Sequence, residues 1–102
     1  MTSYDEMIRV FAAIDDAVTM RQLFAEIFTP AERRTVALRW RLMRLLEQGL
    51  AQREVAARLG VSLCKITRGS RVLKGRGSVT RRIMAQGGAA LAGQRRKGGH
   101  DE

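Results

Sequence analysis

Cysteine and histidine are nearly missing from this chain of 102 residues. The one cysteine, Cys64, excludes an intramolecular disulfide and any cysteine-rich zinc site. The one histidine, His100, stands in a glycine-rich end, so no metal cluster and no nucleophile–histidine pair can be assembled, and an enzyme is not expected. A single proline and few aromatics argue against an all-β fold, while abundant Leu, Ala, Arg, Glu and Met favour helices. No apolar run is long enough to span a bilayer, and the N-terminus lacks a charged-then-apolar signal pattern. The expectation is a cytoplasmic chain with no membrane partner.

Carboxylates are absent from half of the chain. Residues 1–54 hold eight basic and eight acidic side chains, whereas Val55 to His100 hold eleven basic residues and no acid. The net charge of +9 therefore sits in the second half. A polyanion is the natural partner of such a field, and phosphate neutralisation would dominate its affinity. A size near 100 residues makes one domain with limited apolar burial, which dimerisation would help.

What is present is helical periodicity. Met7, Ile8, Phe11, Ile14 and Val18 predict a helix from Tyr4 to about Ala17. Thr19 is a candidate cap for a second helix, Met20 to Phe28. Thr29-Pro30-Ala31-Glu32 has the form of a capping box. A long apolar stripe through Val36, Trp40, Met43 and Leu46 then runs to Gln48, as one helix or as two with a kink, and Gly49 suits the left-handed position that closes a helix.

Residues 52–74, QREVAARLGVSLCKITRGSRVLK, read as a helix-turn-helix. Val55, Ala56 and Leu59 face inward on the first helix, and Gln52, Arg53 and Ala57 face out. Gly60 makes the turn. Ser62 caps a second helix anchored by Leu63, Ile66 and Leu73, which carries Lys65, Arg68, Arg71 and Lys74. Ala51 is a weak cap for the first helix. Ser78 is a candidate cap for a last helix, Val79 to Gln86. Residues 87–102 have no usable periodicity and read as a disordered basic tail, with Arg95-Arg96-Lys97 as an electrostatic arm.

The run FTPAERRTVALRWRLMRLL, then QGLAQREVAARLGVS, then KITRGSRVLK, resembles the Trp repressor family of bacteria. It covers about Phe28 to Lys74, and ITRGS is its most specific part. The resemblance implies an all-α, intertwined helical homodimer with a helix-turn-helix DNA-reading head, residues 1–86 forming the domain. It also implies L-tryptophan as corepressor, bound between the central helices and the reading head. Arg39 and Arg68 then match the arginines on either side of the indole ring, and Gly69 and Thr29 match a neighbouring glycine and threonine. Lys65 stands where well-known members have a threonine, Val72 where they have a serine that holds the ligand's amino group, and Glu26 where a leucine carbonyl is used.

On the DNA side, Gln52 and Arg53 match phosphate and base-edge positions, Leu63, Cys64 and Thr67 match the groove-facing side, and Lys74 matches a phosphate-binding lysine. Ala56 replaces a lysine contact, for which Arg71 and Lys65 are candidate substitutes, with Arg68 also within reach of DNA. The implied function is a sequence-specific transcriptional repressor of tryptophan-related genes. Alternatives are a regulator with another effector or none, and a nonspecific basic nucleic-acid-binding protein. The residues alone also allow Arg39 as a solvated helix-face residue, Arg68 as a phosphate contact, Trp40 as core, and Cys64 as a small neutral contact or an oxidisable thiol.

Overall fold

A computed structural model describes residues 1–87, which form six α-helices and, among these residues, no strand. They are α1 (Ser3–Ala13), α2 (Ala17–Ile27), α3 (Pro30–Glu47), α4 (Gln52–Leu59), α5 (Leu63–Lys74) and α6 (Val79–Ala85). Of the expected tail, residues 88–102 lie outside the described residues.

Local chemistry fixes most of the helix ends. The Thr2 hydroxyl accepts from the Asp5 backbone N–H at 3.0 Å and starts α1. Asp5 and Glu6 in that first turn complement the helix dipole. The cap of α2 differs from expectation. Asp16, not Thr19, holds the position, and its carboxylate accepts from the Thr19 backbone N–H at 2.9 Å. Thr19 is thus the residue capped, and α2 begins at Ala17. The capping box of α3 is complete: Thr29 accepts from the Glu32 backbone at 3.1 Å, and Glu32 accepts from the Thr29 backbone at 2.8 Å. From there α3 runs unbroken for 18 residues to Glu47, and Gly49 takes φ +99° just beyond it.

The guanidinium of Arg33 donates to the Ala25 carbonyl at 3.0 Å and the Phe28 carbonyl at 2.6 Å. It satisfies carbonyls at the end of α2 and fixes the angle at which α3 leaves it. Phe24 lies between Phe11 and Phe28, with ring centroids 5.5 Å and 4.9 Å apart, and ties α1 to α2.

The buried core begins at Leu42 and draws on α3 to α6. It consists of Leu42 and Met43 of α3, Val55 of α4, Ile66 and Leu73 of α5, and Met84 of α6, with Leu46, Leu50, Leu59 and Val61 packed around them. No residue of α1 or α2 is buried. Trp40, expected in the core, is 46 % exposed. Trp40 stands on a side of α3 that the other helices of the chain leave open. Leu63 is also exposed, not an anchor. The buried stripe of α5 is Ile66, Gly69, Ser70 and Leu73, and Leu63 falls at its edge in the first turn.

Two further details set the α4–α5 geometry. The N–H groups of Gly60 and Val61 both donate to the Ala56 carbonyl, at 2.9 and 3.2 Å, closing α4 around the left-handed Gly60. Gln52, expected to face out, is half-buried, and its amide donates to the Ser70 hydroxyl at 3.2 Å. That bond satisfies the buried polar side chain of α5.

Candidate functional site

Three sides of α5 do different work. The side toward the body is buried, and Gly69 lies at its crossing with α3. A Cβ at position 69 would fall 2.6 Å from Leu42 Cδ2 and 3.3 Å from Met43 Cγ, so any larger residue at this crossing must displace the Leu42 side chain. Opposite it, Cys64, Thr67, Arg71 and Lys74 are all exposed at i, i+3, i+7 and i+10, one continuous stripe. Between the two lie Lys65, Arg68 and Val72, which turn toward α3.

These last three side chains and Gly69 face Thr35, Leu38, Arg39, Leu42 and Met43 across a cavity of about 230 Å³. Small-molecule sites usually occupy about 300–1,000 Å³. A space of this size suits a ligand no larger than an aromatic amino acid. Arg39 and Arg68, far apart in sequence, meet here. Lys65, anticipated on the DNA side, also lines this cavity. Thr29 does not line it. It stands ten residues before Arg39 on the same helix, roughly 15 Å along the axis, with its hydroxyl used in the capping box.

Of the other anticipated residues, Arg53 and Leu63 are exposed at the starts of α4 and α5, and Gln52 is bonded to Ser70. The sequence reading missed Leu38, Leu42 and Thr35 as cavity wall. Their spacing, Thr35, Leu38, Leu42 at i, i+3, i+7, was the available signal. A larger open groove of about 470 Å³ between α2 and α3 is lined by Met20, Phe24, Phe28 and Val36. Arg33 at its edge is already bonded to two carbonyls.

The charge of the site has one sign. The ion pairs among the described residues are Arg44–Glu47 at 4.0 Å and Arg58–Glu54 at 3.0 Å, so Lys65, Arg68, Arg71 and Lys74 are unpaired there. Among the described residues no group of His, Cys, Asp or Glu is placed to hold a metal ion, and no helix is long and apolar enough to cross a membrane.

The family model described as Trp repressor protein matches residues 2–87, most of the chain. The chain belongs to the Trp repressor family. Its similarity to the Trp operon repressor homolog of Vibrio cholerae is 35% identity over 88 residues, covering 82% of this chain and 85% of that one. The Trp operon repressor homolog of Chlamydia trachomatis is 47% identical over 57 residues, covering 55% of this chain and 61% of the relative. That match therefore spans less than two thirds of the Chlamydia protein. A third relative, the Trp operon repressor homolog of Chlamydia caviae, is 35% identical over 72 residues, 70% of this chain and 71% of the relative. No solved structure matches the chain at the level of these relatives. The Trp repressor family is a family of repressor-like regulators.

Proposed function

We propose that this Trp repressor family member is a homodimeric transcriptional repressor whose grip on DNA is set by a small ligand between α3 and α5. One observation carries the reading. The exposed stripe of α5 and the cavity share a helix, so anything that alters how α5 sits against α3 also alters what α5 presents outward. In this reading α4, the Gly60 turn and α5 form the helix-turn-helix within a single domain of residues 1–86. Leu63, Cys64, Thr67 and Arg71 face base edges, with Lys65 and Arg68 at the margin. Arg53 and Lys74 hold phosphates, and Gln52 acts beside them by bracing Ser70.

The dimer is supported by the exposed apolar residues of the first three helices, among them Ile8, Val10, Val18, Ile27, Val36 and Trp40. A second copy covers them and, being free of the single-chain geometry, can also supply Thr29 to the cavity. The operator is then pseudo-palindromic, with half-sites about one helical turn apart. L-Tryptophan, the effector implied by the family, is the first ligand to test. Arg39 and Arg68 fit it, because guanidinium planes stack on aromatic faces and bind carboxylates.

Footprinting of a promoter fragment with and without L-tryptophan tests this proposal. The expected result is protection of two spaced half-sites that deepens with ligand. Lys74→Ala should weaken binding evenly across sequences and reduce the salt slope by about 1. Equal affinity for unrelated duplexes and single strands would instead identify a nonspecific basic nucleic-acid binder. Protection indifferent to every ligand would favour an effector-free regulator, a reading motivated by Lys65 and Val72 in the cavity wall.

A further inference from the structure

Lys74 belongs to two surfaces. It ends the exposed stripe of α5, and it also lines an open groove of about 540 Å³ beside the last turn of that helix. The end of α3, the start of α4, the end of α5 and α6 all border this groove, with Leu50 and Leu73 in its wall. Arg81 of α6 lines it too. The one carboxylate there, Glu47, stands 4.0 Å from the guanidinium of Arg44. Lys74 and Arg81 are exposed and have no carboxylate partner among the described residues. The groove therefore carries two cations whose charge its wall does not offset.

The backbone of Arg81 is firmly placed. The connector from α5 is short and bonded to itself: the Gly75 N–H donates to the Val72 carbonyl at 3.3 Å, and the Ser78 N–H donates to the Gly75 carbonyl at 3.2 Å. The Ser78 hydroxyl then accepts from the Arg81 backbone N–H at 3.1 Å. Further along α6, Met84 is 2 % exposed, and Arg44 donates to its carbonyl at 3.4 Å. With α6 fixed at both ends, little backbone freedom is lost when a partner arrives. Arg82, next in sequence and also exposed, does not line the groove.

We propose that Arg81 is a DNA-backbone contact outside the helix-turn-helix, gripping a phosphate that neighbours the one held by Lys74. The inference rests on the reading of the α5 stripe as the DNA face. Lys74 makes stripe and groove continuous, so a duplex laid along the stripe brings its backbone to the groove. A guanidinium suits that role, because its paired N–H donors match two phosphate oxygens. A phosphate contact carries no base information. Arg81 thus adds affinity and sets the reading head on the duplex without adding sequence preference, and α6 is part of the DNA-binding surface as well as of the fold.

Fluorescence anisotropy of the full chain on the footprinted promoter fragment and on an unrelated duplex, across salt concentrations, tests it. Arg81→Ala should lower the slope of log affinity against log salt by about 1 per half-site, and weaken binding to both duplexes by the same factor. Arg82→Ala removes the same charge from the same helix and should leave the slope unchanged, and Arg81→Lys should retain most of it. Ethylation interference should reveal a phosphate in each half-site whose modification ceases to matter in Arg81→Ala. Circular dichroism verifies that each variant is folded. Equal slope losses from Arg81→Ala and Arg82→Ala would reduce Arg81 to general charge and overturn the inference. An unchanged slope in Arg81→Ala beside a lowered one in Lys74→Ala would overturn it as well, and both results leave the DNA reading standing. A native chain that binds neither duplex overturns the two together.

Discussion

The α1–α2 arm and the α4–α6 body are built on opposite economies. The arm has strong local signals and no interior. Thr2 and Asp16 cap its helices with side-chain hydrogen bonds, yet neither helix buries a residue. The body has an interior and a local defect. Val55, Ile66 and Met84 are almost completely buried, but α4 starts at Ala51 with no side-chain cap. Charge divides the same way, with a balance of zero through residue 54, then eleven cations and no carboxylate from Val55 to His100. Helices can thus be specified by caps and periodicity well before their apolar faces find cover. In this chain the half that needs cover is the electrically neutral one, which suits the proposed dimer, and the cationic half suits the proposed DNA partner.

The sharpest way to break this contrast is to cut one apolar side chain from each region. Ile66→Ala removes a side chain with no exposure from the junction of α3, α4 and α5. A loss of about 2–5 kcal/mol in urea denaturation is expected. Ile8→Ala, at a residue 46 % exposed in the single chain, should leave the body's intrinsic stability within about 0.5 kcal/mol and weaken self-association in sedimentation equilibrium. Equal losses from the two substitutions, at a protein concentration too low for association, would show that the arm has a core of its own.

Gly69→Ala probes where α5 crosses the long helix α3. Its Cβ would sit 2.6 Å from Leu42 Cδ2, and Leu42 is itself buried. Overpacking costs about 1–3 kcal/mol, and alanine's better helix propensity returns up to about 1 kcal/mol, so a net loss near 1 kcal/mol is expected in thermal denaturation. Leu42 also lines the cavity, which is the open space beside it. Its displaced side chain should move there and lower ligand affinity by more than the stability change implies, as a titration with L-tryptophan would reveal.

Sequence chemistry foretold much of this fold, and its failures share a cause. The capping box at Thr29, the left-handed Gly49 and Gly60, and the Ser62 and Ser78 caps are decided within a few residues, so they were legible. Asp16 and Thr19 are both competent caps; the choice depended on which one ends α1's approach and which donates its N–H. Trp40 was read as core because periodicity reveals which face of a helix is apolar, not which chain covers it. Within the site, no spacing rule pairs Gln52 with Ser70, and the meeting of Arg39 with Arg68 was implied by resemblance alone. Lys65 and Arg68 lie on the side of α5 between its exposed stripe and the cavity, a position that only packing reveals.

A smaller effect comes from repairing the body's defect. Ala51 is exposed and extended, with φ −66° and ψ 146°, the backbone a capping residue needs. Ala51→Ser should let a hydroxyl accept an orphan N–H of the first turn and raise stability by about 1 kcal/mol. No change in the denaturation midpoint would mean that the body's packing already saturates the order of α4.

The smallest expected effect is in the arm, where a cap acts without a core to support it. The Thr19 side chain and backbone, hydrogen-bonded to the Asp16 carboxylate, hold its pKa below the ordinary 3.8. Because the folded value is the lower one, the cap's contribution is complete above 3.8 and disappears as the pH falls through that depressed value. The Cα chemical shifts of Ala17 to Met20 should therefore move toward coil values on acidification, while those of α5 stay put. Asp16→Asn, which keeps a capping oxygen but cannot titrate, should abolish the shift. Fraying that persists in the asparagine variant would trace the acid sensitivity to another carboxylate of the arm and take the cap out of the account of how α2 is held.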